Sequence, residues 1–139
     1  MVFKQLLRAT EYLHDNKIVH RDIKPENVVF RHSLAGSHNL HHSKSNVVKL
    51  VDFGMVLDLR KEPTARGMMG SPGFVAPEVI LGGYHTTQMD MYSLGVLLFV
   101  MLVGAKPMTQ DQAKSMQYAV LPLESLRGVL VRSSFNLMW

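Results

Sequence analysis

Apolar residues recur at helical spacing at the start of the chain. Phe3, Leu6 and Leu13 fall on one side of a helix that the pattern predicts from residue 2 to about residue 16. Charged side chains take most of the remaining positions, and Asp15-Asn16 is a typical stop signal. The pattern therefore predicts one amphipathic helix that packs by a single face.

Short apolar runs come next, and they are rich in β-branched residues. Residues 18–19, 28–30 and 47–51 are bounded by polar positions, which is typical of strands. The last two flank a stretch rich in Ser, His and Asn, residues 31–46, which predicts a loop. This loop holds four histidines, at His32, His38, His41 and His42. A metal site is one interpretation, but the loop contains no thiolate or carboxylate, so a solvated insertion is favoured.

The longest uncharged run is MYSLGVLLFVMLVGA, at residues 91–105. A membrane span needs about 20 apolar residues, so the run favours a helix buried on all sides in a protein core, over residues 90–103. Gly104 and Pro107 close that helix.

Proline and glycine punctuate the chain before and after this run. They keep residues 55–75 irregular, and Ala76 to Ile80 opens a short helix with a proline in its first turn. After Thr109 the pattern weakens, and it permits helices over 110–118 and 123–131.

Composition and charge narrow the class of protein. A chain of 139 residues with 47% apolar content suits one folded domain. Because cysteine is absent, disulfides and thiolate metal sites are excluded. The net charge is +4, but Lys and Arg are scattered, which argues against a nucleic-acid surface. Charges every few residues near the start argue against a secretory signal.

The candidate chemistry lies in residues 20–27, HRDIKPEN, between two apolar runs. Phosphoryl transfer needs a positioned hydroxyl, metal ions on the phosphates and positive charge near the moving group. Asp22 is a carboxylate that can orient a hydroxyl and accept its proton, and Lys24 can reach the phosphate. Asn27 and Asp52 offer oxygens of the kind that Mg²⁺ prefers.

Each short motif alone has a structural explanation. A lone His-Arg-Asp or Asp-Phe-Gly is typical of a turn, and Asp90 alone is a candidate cap for the helix that follows it. Four motifs in order are far more specific, and they are HRDIKPEN at 20–27, VDFG at 51–54, GSPGFVAPEV at 70–79 and DMYSLGVLLF at 90–99. Over residues 2 to about 107 the chain resembles eukaryotic protein kinases of the serine/threonine type. The last two motifs are most similar to those of the calcium/calmodulin-dependent kinase group.

The resemblance implies a fold and a site. The fold would be a mainly α fragment, the C-terminal lobe of a protein kinase, with a short β-hairpin carrying the catalytic and DFG-type loops. Residues 1–108 would form the partial kinase domain and residues 109–139 an unassigned segment. ATP and Mg²⁺ would be the cofactors. Asp22 would be the catalytic base and Lys24 the phosphate-contacting lysine, with Asn27 and Asp52 as the Mg²⁺ ligands.

The resemblance also implies structural or regulatory roles, for His20, Arg21, Thr64, Ser71, Glu78 and Asp90. His20 would pack beneath the loop, and Asp90 would tie the loop backbone to the apolar helix. Ser71 would contact substrate and Lys24, while Glu78 would pair with an arginine far downstream, with Arg127 or Arg132 as possible substitutes. A phosphate on Thr64 would pair with Arg21 and order the segment, although an unmodified Thr64 is an equal alternative.

Two functions are expected from these motifs. The first is a serine/threonine kinase that transfers the γ-phosphate of ATP to protein substrates in its full-length form. Because no glycine-rich loop or strand lysine precedes residue 2, we expect this chain alone to be inactive. The second is a catalytically silent truncated isoform that acts as a protein-binding module. Protein substrates and ATP are the expected partners, without nucleic acid or a membrane span, in an intracellular, cytoplasmic or nuclear location.

Overall fold

The computed structural model of the chain describes residues 2–31 and 47–107. The elements in chain order are helix α1 (Val2–Asp15), strand β1 (Ile18–Val19), a 3₁₀ turn (Pro25–Asn27), strands β2 (Val28–Arg31), β3 (Val47–Leu50) and β4 (Leu57–Asp58), and helices α2 (Pro77–Ile80) and α3 (Thr87–Val103). The four histidines of the predicted loop and the weak helices after Thr109 lie outside the described residues.

Helix α1 occupies the predicted range. Leu6 and Thr10, one turn apart, are its fully buried residues. The helix ends where the sequence predicts, because the side-chain amide of Asn16 donates to the carbonyl of Tyr12 at 2.8 Å and Lys17 takes a left-handed φ of 61°. This ending turns the chain directly into β1.

Two small antiparallel sheets flank the segment between β1 and β2. Strands β2 and β3 form the predicted hairpin, with Val28 opposite Leu50 and Arg31 opposite Val47. Strand β4 falls within a range predicted to be irregular, and it pairs with β1 through Ile18–Asp58 and Val19–Leu57. Two-residue strands have too few positions to show an alternating pattern, so only the long-range pairing reveals them.

Helix α3 is the central element of the core. It begins three residues before the predicted start, because Thr86 is its N-cap and accepts a hydrogen bond from the Gln88 amide at 3.3 Å. Gly104, with a φ of 79°, ends it as predicted. The expectation of burial on all sides is wrong, since Met91 is 50% exposed and Met101 and Leu102 are also exposed.

Two apolar clusters make up the core. The first joins α1, the hairpin and α3, and consists of Leu6, Ile23, Val48, Phe74, Leu94, Val96 and Leu97. The second joins β1, β4, α2 and the start of α3, and consists of Val19, Leu57, Ala65, Ala76, Val79 and Met89. Tyr92 of α3 packs against both. The core therefore lies directly beneath the segment between β1 and β2.

The expected fold class, a mainly α fragment limited to the C-terminal lobe, is wrong. About 42% of the described residues are helical and about 13% are in strands, and nothing in the structure limits the chain to that lobe. The physical reason lies in residues 51–76, where prolines and glycines leave the two-residue strand β4 as the sole regular element. These irregular residues still supply core side chains such as Ala65 and Phe74.

In the described ranges, no helix has the length and apolar character that a membrane span requires.

Candidate active site

The segment His20–Asn27, here called the catalytic loop, is held from below by one carboxylate. Asp90 is completely buried in α3, and its Oδ2 and Oδ1 accept hydrogen bonds from the backbone amides of His20 (2.8 Å) and Arg21 (2.9 Å). The ring of His14 in α1 also lies 2.9 Å from Asp90 Oδ2. Helix α3 thus fixes the start of the loop through its backbone. Asp90 is not a helix cap, since Thr86 has that position.

Asp22 lies within hydrogen-bonding distance of three side chains. Its carboxylate, on a residue only 4% exposed, lies 2.7 Å from Lys24 Nζ and accepts hydrogen bonds from Ser71 Oγ at 2.7 Å and Asn27 Nδ2 at 3.1 Å. Lys24 Nζ also donates to Ser71 Oγ at 2.7 Å. The structure therefore brings together a carboxylate, an ammonium and a hydroxyl from two separate segments.

The environment of Asp22 keeps its carboxyl ionised. Burial raises the pKa of Asp22, but hydrogen bonds from Lys24, Ser71 and Asn27, together with the charge of Lys24, outweigh burial and leave the pKa below its ordinary value. An ionised carboxylate is the form that can accept a proton.

Asn27 and Asp52 offer oxygens on neighbouring segments. Both hydrogen bonds of the Asn27 amide group run from Nδ2, to the carbonyl and the carboxylate of Asp22, which directs the nitrogen inward. Its Oδ1 takes part in no hydrogen bond among the described residues. The backbone carbonyl of Asn27 accepts a hydrogen bond from the backbone amide of Val51 at 2.9 Å. Asp52 is the next residue after Val51, so this contact brings the two segments together.

Asp52 has an exposed carboxylate and a left-handed backbone. Its φ is 63°, and its Oδ1 accepts the Gly54 amide at 3.2 Å. One amide oxygen and one carboxylate suit Mg²⁺, which keeps several waters and needs few protein ligands. The donor set therefore fits Mg²⁺. In residues 2–31 and 47–107, no group of three or more His, Cys, Asp or Glu side chains is arranged so that it could hold a metal ion.

His20 connects the catalytic loop to the segment that carries Asp52. The ring is fully buried, and its Nε2 lies 3.2 Å from the carbonyl oxygen of Val51. Its Nδ1 accepts a hydrogen bond from the backbone amide of Asp22 at 3.3 Å. A single neutral tautomer, protonated on Nε2, satisfies both contacts. The ring of Phe53 packs edge-on against it, with centroids 5.1 Å apart.

Arg21 extends from the catalytic loop toward residues 55–85. Its backbone is left-handed, with a φ of 68°, and its guanidinium donates to the carbonyls of Met55 and Val56. Burial lowers the pKa of Arg21, while the charges of Glu62 and Asp90 act in the opposite direction. The guanidinium keeps its positive charge in proteins, so it stays a donor.

Not every residue that the sequence singles out joins this cluster. Thr64 is exposed, and no contact links it to Arg21 in the part of the chain that the structure describes. Glu78 lies at the start of α2, and no ion pair involves it within the described ranges. Arg127 and Arg132, its suggested partners, lie outside those ranges.

Two histidines that belong to none of the sequence motifs lie next to the catalytic loop. His14 contacts Asp90, and His85 contacts Arg21 at 3.1 Å. Each is separated from its partner by more than 60 residues. A lone histidine has no spacing signal, so only the fold identifies these two.

Comparison with known proteins decides the family. A family model described as protein kinase domain matches residues 1–136. This chain belongs to the protein kinase family. The match extends past residue 108, and the division of the chain at that position stays a prediction.

Curated relatives of this kinase chain include two that are named serine/threonine-protein kinases. It is 35% identical over 124 residues to the probable serine/threonine-protein kinase fhkD of Dictyostelium discoideum, with 81% of this chain and 16% of the relative covered. It is 36% identical over 119 residues to the serine/threonine-protein kinase PEPKR2 of Arabidopsis thaliana, covering 86% and 23%. It is 35% identical over 104 residues to the calcium/calmodulin-dependent protein kinase type II of Caenorhabditis elegans, covering 75% and 13%.

These matches place the kinase chain in the serine/threonine branch and do not favour the silent binding module. The chain spans less than a quarter of the length of each of these relatives.

Proposed function

We propose that the full-length protein carrying this chain transfers the γ-phosphate of ATP to serine or threonine hydroxyls of protein substrates. The observation that carries the proposal is the hydroxyl of Ser71, which lies 2.7 Å from both Asp22 Oδ1 and Lys24 Nζ. An aliphatic hydroxyl therefore fits between the carboxylate and the ammonium, and a substrate hydroxyl has the same chemistry.

Asp22 acts as the proton acceptor in this proposal. Its carboxylate orients the substrate hydroxyl and takes its proton as the oxygen bonds to the γ-phosphorus, while the bond from phosphorus to the bridging oxygen of ADP breaks. The lowered pKa of Asp22 keeps the acceptor available at neutral pH. Lys24, whose Nζ lies 2.7 Å from that carboxylate, places positive charge beside the oxygens of the moving group.

Asn27 and Asp52 would hold the metal ion. Mg²⁺, when bound, neutralises charge on the phosphate oxygens of ATP. The Asn27 side chain is oriented by its two hydrogen bonds to Asp22, so its Oδ1 needs little rearrangement to become a ligand. Asp52 is exposed and approaches from the other segment.

Finer features of the activity are also part of the proposal. Membership of the calcium/calmodulin-dependent group is supported by the GSPGFVAPEV and DMYSLGVLLF motifs and by the similarity to the Caenorhabditis elegans enzyme. Phosphorylation of Thr64 is supported by its exposure, although its phosphate would have to compete with the partners that Arg21 already has.

The test is phosphate transfer from ATP and Mg²⁺ to a protein substrate by the full-length protein and its Asp22→Asn variant. Loss of the proton acceptor should lower kcat by about 10²–10⁴-fold. Asp58→Asn, the same change at a carboxylate outside the site, is the matched control and should leave kcat unchanged. Equal kcat for Asp22→Asn and wild type would refute the proposed role, and no transfer by a folded wild-type protein would refute the function.

A further inference from the structure

His85, in the turn before α3, joins two separate segments through its ring and backbone. It is 1% exposed. Its Nδ1 lies 3.1 Å from the Nη1 of Arg21 in the catalytic loop, and its Nε2 lies 2.8 Å from the Gly67 carbonyl. Its backbone amide donates to the Ala65 carbonyl at 2.8 Å. Residues 65–67 are thus held by His85 at two points, directly after Thr64.

The partners of the ring identify its protonation state. A guanidinium can only donate, so Nδ1 of His85 must be the acceptor toward Arg21. A carbonyl can only accept, so Nε2 must carry the hydrogen that is directed at Gly67. The neutral ring protonated on Nε2 satisfies both contacts, whereas a charged ring would direct a second N–H at the guanidinium.

The surrounding charges offer nothing to stabilise a cation at His85. From the catalytic loop it faces Arg21, and from residues 65–67 it faces backbone carbonyls. Arg66 lies over the Tyr84 ring at 3.8 Å and adds a second positive charge nearby. Glu62 and Asp90 act on Arg21 electrostatically, and no carboxylate within the described ranges is hydrogen-bonded to the His85 ring.

We propose that neutral His85 is a positioning residue that ties residues 65–67 to Arg21, and that protonation of its ring releases this tie. A released Arg21 would lose one of the contacts that orient its guanidinium, and residues 65–67 would lose their attachment to the catalytic loop. A protonated ring would direct a second N–H and a positive charge at the guanidinium of Arg21, so the charged form favours separation of the two segments. This role goes beyond phosphoryl transfer, and its test requires no kinase activity.

The first measurement is the nitrogen NMR spectrum of the histidine rings in the full chain at pH 7.5. We expect His85 to be the tautomer protonated on Nε2. Amide hydrogen exchange of residues 60–70, corrected for the intrinsic effect of pH, should then become faster by about tenfold or more between pH 7.5 and 5.0, because a hydrogen bond to a charged group is lost.

Two substitutions separate this role from simple packing. The amide of His85→Gln can accept from Arg21 and donate to Gly67 without titrating, so its corrected exchange should be slow at both pH values. His85→Ala should exchange fast at both. Tyr84→Phe keeps the ring under Arg66 and should follow wild type.

The proposal fails if exchange in wild type is independent of pH, or if His85→Gln retains the pH dependence of wild type. Should neither His85 variant fold, the ring spectrum of wild type decides, and a charged ring or protonation on Nδ1 at pH 7.5 overturns the proposal.

Discussion

Asp22 and Asp52 are both carboxylates of the candidate active site, yet Asp22 is 4% exposed and Asp52 lies at the surface. Three side chains contact the carboxylate of Asp22, whereas the carboxylate of Asp52 accepts only the Gly54 amide among the described residues. Asp22 is thus oriented before any substrate arrives. Asp52 has an open face, as a residue that awaits a charged ligand should.

The contrast extends to the segments that carry the two residues. The catalytic loop is anchored to α3 through Asp90 and packs on the core through Ile23. Residues 51–69 contribute few core side chains, such as Leu57 and Ala65, and they are held to the catalytic loop mainly by contacts of His20 and Arg21. Helix α3 therefore fixes the catalytic loop, and a few polar contacts of that loop hold residues 51–69.

Replacing Asp90, which anchors the catalytic loop to α3, should have the largest effect on stability. In Asp90→Ala, the buried amides of His20 and Arg21 lose their acceptor, and each such donor costs about 1–3 kcal/mol. We expect the free energy of unfolding to fall by about 2–6 kcal/mol in urea denaturation. Asp58→Ala removes a half-buried carboxylate whose hydrogen-bond donors all belong to the exposed residue Arg60, so it should lower the free energy of unfolding less. If the two variants unfold at the same urea concentration, Asp90 is not the anchor.

A smaller loss of stability should follow from adding a methyl group where the segment after Asp52 approaches the catalytic loop. Gly70 has a φ of 107°, and an added Cβ would lie 2.9 Å from the Arg21 carbonyl. Gly67 has a similar φ of 109°, but no atom lies within 4 Å of its added Cβ. Alanine at either position carries about 1–2 kcal/mol of backbone strain.

Gly70→Ala should cost about 1–3 kcal/mol beyond Gly67→Ala, because only Gly70 faces the catalytic loop. Thermal unfolding of the two variants measures this difference. Equal melting temperatures of the two variants would mean that moving residue 70 away from the catalytic loop costs no stability.

The sequence predicted those features that depend on neighbouring residues. The spacing of apolar residues gave α1, the two apolar runs gave the β2–β3 hairpin, and Gly104 gave the end of α3. The order of the four motifs indicated the family, because the kinase motifs combine several residue types at fixed spacing.

Contacts between distant parts of the chain escaped prediction. The β1–β4 pair and the position of His85 depend on residues about 40 to 64 positions apart, and neither has a local pattern. The helical content was overestimated for a related reason. Apart from β4, residues 51–76 pack into the core without regular structure, and periodicity cannot detect such packing.

The smallest effect concerns the protonation of Asp22. Its folded pKa lies below its ordinary value of about 3.9, so its ionised form adds stability above that pH, and the contribution is lost as pH falls through the folded pKa. In Ser71→Ala one hydrogen bond to the carboxylate disappears, and the pKa of Asp22 should move upward. The midpoint of the carboxyl carbon signal in an NMR titration measures this change.

Asp58 supplies the control for this titration. Its hydrogen bonds from Arg60 lower its pKa to about 2. Arg60→Ala should raise the midpoint of Asp58 and leave that of Asp22 in place. A Ser71→Ala variant whose Asp22 midpoint does not move would show that Ser71 does not stabilise the carboxylate.

Two requirements conflict at Asp52: its backbone is left-handed, and its side chain must offer an oxygen. A φ of 63° is unfavourable for most side chains, and glycine would relax it, but glycine has no oxygen to offer. Aspartate tolerates the conformation because its Oδ1 accepts the Gly54 amide, which leaves Oδ2 for another partner. The substitution that would best relieve this position is also one that would remove its chemistry. Selection for stability and selection for activity therefore oppose each other at Asp52.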